Sequence, residues 1–82
     1  MTIAEAIAEL EANLKDVRFE RLKAICTAFF GAPRIKGSHH IFKMKWPGDP
    51  RINIQNRGGK VAEYQVKQAI AALQRLSATK GQ

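Results

Sequence analysis

The run Gly37-Ser38-His39-His40-Ile41-Phe42-Lys43 joins a glycine pivot to two histidines at the head of an alternating segment. Successive side chains of a strand point to opposite faces, so the two histidines fall into different environments. His40, Phe42, Met44 and Trp46 form one set, apolar enough for a core, while His39, Ile41, Lys43 and Lys45 form a wet, cationic set. An imidazole among lysines suits work on a phosphodiester, because free histidine titrates near ~6.5 and can take or give a proton at neutral pH. RNA supplies its own nucleophile, the 2′-hydroxyl. His39 is therefore the candidate catalytic residue, as general base on that hydroxyl or general acid on the leaving 5′-oxygen. Lys36, Lys43 and Lys45 would offset charge building on the phosphoryl oxygens. Ser38 is a candidate to orient the phosphate, beside the plainer role of a turn residue, and His40 is assigned to packing.

Other chemistries fit the residues poorly. The basic centre of the chain holds one acid, Asp49, in a turn, whereas two-metal catalysis needs several carboxylates. Adjacent histidines on opposite strand faces chelate badly, and the single cysteine gives no zinc motif, so no metal and no small-molecule cofactor is expected. Cys26 lies among Ile25, Phe29 and Phe30 at helical spacing, which predicts a buried structural thiol. A lone cysteine suits a reducing cytoplasm.

The charge is unevenly spread. Of a net +7, residues 1–20 hold two basic and five acidic side chains, and residues 21–60 hold nine basic and one acidic. A cationic centre favours a polyanionic partner such as nucleic acid, or an acidic protein. The 82 residues make one small domain, able to bury roughly 60–65% of its unfolded surface. No apolar run approaches a membrane span, and Glu5, Glu9 and Glu11 interrupt the start of the chain where a secretion signal would be apolar.

These residues need elements to hold them. Thr2-Ile3-Ala4-Glu5 fits a capping box, and Ile3, Ile7, Leu10 and Leu14 follow at helical spacing, predicting a first helix over 3–14. Asp16 can cap a second helix whose stripe of Leu22, Ile25, Cys26, Phe29 and Phe30 stops at Gly31. The pattern then turns to period two: a short strand at Arg34-Ile35-Lys36, a turn at Gly37-Ser38, and a strand over 39–46. A Pro-Gly-Asp-Pro turn follows at 47–50, then a strand over 51–55 with Ile52 and Ile54 inward. Residues 56–60 read as a flexible basic loop. A last helix starts at Val61 or Ala62, with Val66, Ala69, Ile70, Leu73 and Leu76 on one face and a frayed tail from Ser77. The order predicts an α+β fold with helices on one face of a three-stranded antiparallel sheet. The open face would carry Arg34, Lys36, His39, Lys43, Lys45, Arg51, Asn53 and Gln55, with amides able to bond bases or 2′-hydroxyls. Arg57 and Lys60 add charge from the loop. Trp46 is placed on the apolar side in preference to base stacking, and Gly58-Gly59 is taken as a hinge because a full phosphate-loop spacing is lacking.

Three segments resemble the HicA family of toxins, the RNA-cleaving half of HicA/HicB toxin–antitoxin pairs: Lys36-Gly37-Ser38-His39-His40-Ile41-Phe42-Lys43, the stretch Trp46 to Gln55, and Tyr64-Gln65-Val66. The likeness covers roughly Phe19 to Leu76. It implies a fold like a double-stranded RNA-binding domain, messenger RNA cleavage with His39 as the catalytic histidine, and restraint by a HicB-like antitoxin. The helix over 3–14 is extra to a minimal member. Where the commoner pattern has a basic, proline-containing stretch, this chain has Asn56-Arg57-Gly58-Gly59-Lys60. The domain thus divides into an N-terminal helical extension (1–15), a HicA-like core (16–76) and a tail (77–82). The same surface would equally serve a non-catalytic RNA-binding module.

Overall fold

The computed structural model describes residues 1–47 and 51–80. Helix α1 (Ile3–Ala12) opens with the expected capping box: Thr2 Oγ1 accepts from the Glu5 amide, and the Glu5 carboxylate accepts from the Thr2 amide. It ends two residues before Leu14, with Asn13 as its C-cap. Helix α2 (Phe19–Phe30) ends at Gly31, whose φ of 87° lies in the region that glycine adopts freely. Its N-cap is Arg18, without a side-chain cap, and not Asp16. The Asp16 carboxylate pairs instead with Lys60, which holds it below the usual carboxylate range.

Strands β1 (Arg34–Lys36), β2 (His39–Phe42) and β3 (Ile52–Gln55) form an antiparallel meander in the order β1-β2-β3. The β1–β2 link is two residues, with Lys36 opposite His39, and Gly37 at its first position has φ 60°. A two-residue hairpin with glycine there fits the type II′ pattern. Strand β2 stops at Phe42, not at residue 46, because β3 begins at Ile52, the partner of Phe42, and so offers Lys43–Trp46 no mate. The expected turn over 47–50 lies, beyond Pro47, outside the described residues, as does Asp49.

The stretch expected as a flexible loop is a tight, docked turn. Arg57 and Lys60 exchange both backbone bonds around Gly58 and Gly59, whose φ values of 61° and 89° suit a type I′ turn. Gly59 O accepts from the Phe19 amide, and the Val61 amide donates to Val17 O. Helix α3 (Glu63–Lys80) then runs past Ser77, where the sequence suggests fraying, because Leu76 is still buried in the core.

The protein is thus α+β: three helices and a three-stranded antiparallel sheet. Helices α2 and α3 cover one face of the sheet, and α1 packs on α3. Phe42, Ile52 and Ile54 meet Leu22, Ile25, Val66 and Leu73 in the core between them. Cys26 is fully buried, and burial pushes its thiol up to about 12, so it is an inert packing group. Among the described residues, no helix is long and apolar enough to cross a membrane.

Candidate functional site

Cross-strand partners share a face of the sheet, so the register sorts the side chains directly. Arg34 faces Ile41 and Lys36 faces His39 across β1 and β2, while His39 faces Gln55 and Ile41 faces Asn53 across β2 and β3. These six residues form the face away from the helices. Ile35, His40, Phe42, Ile52 and Ile54 form the other.

The two histidines part as the alternation demands. His40 packs its ring edge-on against Phe19, with centroids 4.9 Å apart and planes at 74°. Its Nδ1 is buried, with no hydrogen-bond partner among the described residues. His39 is exposed on the open face. Its Nδ1 donates to Asn53 Oδ1 at 3.1 Å, diagonally across β2 and β3. Because that amide oxygen can only accept, the bond fixes the neutral ring as the Nδ1–H tautomer and leaves Nε2 with the lone pair. Asn53, expected as a ligand for RNA, is therefore engaged with the histidine.

Ser38 is tied down in the same way. Its Oγ accepts from Gln55 Nε2 at 3.0 Å, linking the hairpin turn to β3. The Gln55 backbone amide donates to the Oε1 of Gln65, a buried polar side chain at the start of α3, and Gln65 Nε2 donates to the Tyr64 hydroxyl. Gln65 is a supporting residue that the candidates from sequence leave out, whereas Gln55 is one of the open-face amides expected from alternation. A signal for Gln65 existed: it interrupts the apolar stripe of α3 one residue before Val66.

The remaining candidates divide by position. Arg34 and Lys36 stand exposed on the open face with His39. Arg57 and Lys60 flank the glycine turn just beyond Gln55, at the hairpin end of the sheet, where the Asp16 carboxylate offsets the Lys60 charge. Lys43 and Lys45, expected beside His39, lie past the end of β2. Lys45 lines a groove with Ala28, Phe29, Leu76 and Thr79 on the helical side. Arg51 likewise precedes β3 and lines a cavity with Gln68 and Arg75 of α3. The compact set around His39 is thus Arg34, Lys36, Ser38, Asn53 and Gln55. Among the described residues, no three His, Cys, Asp or Glu side chains converge as a metal site would need.

This arrangement can orient an imidazole, present its free nitrogen to solvent, and set two cations beside it. No family model, curated protein or solved structure matches the chain.

Proposed function

We propose that the protein is an endoribonuclease of the HicA toxin type, built on a fold like a double-stranded RNA-binding domain. It works in the cytoplasm, cleaves messenger RNA, and is held in check by a HicB-like antitoxin that covers the same cationic face. The observation that carries this reading is His39 with its Nδ1 held by Asn53 and Lys36 directly opposite on an open face. A binding surface needs no oriented imidazole, whereas general base catalysis does.

In the proposed reaction, His39 Nε2 takes the proton of the 2′-hydroxyl as its oxygen bonds to phosphorus. The bond from phosphorus to the 5′-oxygen breaks, and that oxygen takes a proton from water. The resulting hydroxide takes the proton from the His39 imidazolium, which returns to its base form. Lys36 and Arg34 stabilise the charge gathered on the non-bridging oxygens. The route predicts cleavage in EDTA, with products ending in 2′,3′-cyclic or 3′-phosphate and a free 5′-hydroxyl, read by end-labelling and mass spectrometry. An absolute requirement for magnesium would overturn it. Tight RNA binding with no cleavage in either condition would leave a non-catalytic RNA-binding module.

Asn53 provides a finer test, because its Oδ1 is engaged by the ring it orients. Asn53→Ala should lower kcat about tenfold with little change in KM, since a freely rotating ring spends less time aligned. Asn53→Asp sets a carboxylate against the imidazolium and favours the protonated ring. The base form then appears only at higher pH, so the acid limb of the pH–rate profile moves upward. An unmoved profile in Asn53→Asp would separate Asn53 from the chemistry.

A further inference from the structure

A second concentration of recognition chemistry lies between β3 and α3, away from His39. There the Arg75 guanidinium carbon sits 4.6 Å from the centre of the Trp46 ring. Phe30 meets the same indole edge-on, with centroids 6.3 Å apart and planes at 87°. Trp46 is half-buried and held in place, packed against the core on the apolar side as its alternation with Phe42 and Met44 suggests, with part of its ring still exposed. Trp46 and Arg75 line a cavity of about 200 Å³ together with Ile52, Gln68, Ala71 and Ala72. The two alanines matter, because a longer side chain at either position would fill the space. A dry cavity of about 150 Å³ already accepts a benzene ring.

We infer that this cavity is a subsite for one unstacked nucleotide of single-stranded RNA, with its base laid on the Trp46–Arg75 stack. A guanidinium lying over an indole offers a cationic, partly aromatic surface against which any base can stack. Gln68 presents both a donor and an acceptor to a base edge. The positive charge suits the flanking phosphates. An uncharged apolar ligand would leave the guanidinium unused, and an acidic peptide would leave the aromatic surface unused.

The subsite is within reach of the catalytic face. Ile52 lies three residues from Gln55, the partner of His39, which is about 10 Å along the strand. Ile52 is on the opposite face from His39, so a strand must also round the β3 edge. More than about three nucleotides at ~3.4 Å each are therefore needed to span the two. β3 is an edge strand of the sheet, so one nucleic acid strand can cross its edge from His39 to the cavity. As a contributor to substrate binding, the subsite rests on the RNA reading above; as a nucleotide site, it is tested separately.

Trp46 is the only tryptophan in the chain, so its fluorescence reports on the cavity directly. The probe is a short, end-labelled oligo(dA), which lacks the 2′-hydroxyl and so cannot be cut. It should quench Trp46 on binding, and binding followed by anisotropy should weaken about tenfold in Arg75→Ala. Arg75→Lys keeps the charge and discards the plane, and should bind nearly as weakly. Circular dichroism melts confirm that both variants fold. His39→Ala should quench like the wild type. Quenching that persists in a protein unable to cut RNA would keep the subsite and overturn the nuclease. Cleavage without quenching, or Arg75→Lys binding like the wild type, would overturn the subsite. Equal quenching by polyglutamate would overturn it in favour of an acidic protein partner.

Discussion

If the proposed chemistry holds, His39→Ala should lower RNA cleavage by roughly 10²–10⁴-fold and leave the protein folded. That range corresponds to about 3–5 kcal/mol of transition-state stabilisation. The expectation of an intact fold follows from where the side chain sits. His39 is exposed, its one hydrogen bond is to Asn53, and the hairpin that carries it is set by Gly37 and by pairing with both neighbouring strands. Surface substitutions of this kind usually change stability by less than about 0.5 kcal/mol. RNA affinity should fall little, because Arg34 and Lys36 remain. His40→Ala is the control one residue away. It removes the ring that packs on Phe19, so it should lower the melting temperature while activity per folded molecule persists. Cleavage by His39→Ala at the wild-type rate would leave the surface a binding site only.

The contrast between the two histidines was legible because a strand has a period of two, and no tertiary information is needed to put neighbours on opposite faces. The end of that strand was not legible. Lys43, Met44, Lys45 and Trp46 continue the same alternation, and Met44 is indeed buried, yet pairing stops where the partner strand begins, at Ile52. Strand length is set by a mate ten residues away in the chain, which local pattern does not encode. Lys45 therefore lines a groove on the helical side, although local alternation points it to the open face. Asp16 shows the same limit at a helix start, where local spacing suggests a cap and the distant Lys60 takes the carboxylate. Gly58-Gly59 reads locally as a flexible hinge, whereas the tight turn it forms is held by docking against residues 17–19, roughly forty positions earlier. Asn53 could be put on the face of His39 by alternation alone. Its bond to Nδ1 depends on register, which the hairpin turn fixes.

Phe42→Ala is expected to do the opposite of His39→Ala, although the two positions are only three apart in the chain. Phe42 is fully buried, closes β2 opposite Ile52, and lies within the single core formed by the helices and the sheet. Truncating a buried phenylalanine costs about 3–5 kcal/mol through lost transfer energy and the cavity left behind. Small domains hold about 5–15 kcal/mol in total, and one of this size sits toward the low end. The variant should therefore unfold at much lower urea, with an unchanged slope of stability against denaturant, and be largely unfolded near 37 °C. Phe42→Leu keeps most of the volume and should cost less than about 2 kcal/mol. Activity supplies the second readout. Per folded molecule, Phe42→Ala should cleave like the wild type at low temperature, because nothing on the open face has changed. Loss of cleavage while the protein is still folded would show that the core sets the His39 geometry directly. A stability loss below about 1 kcal/mol would place Phe42 outside the core on which the sheet is built.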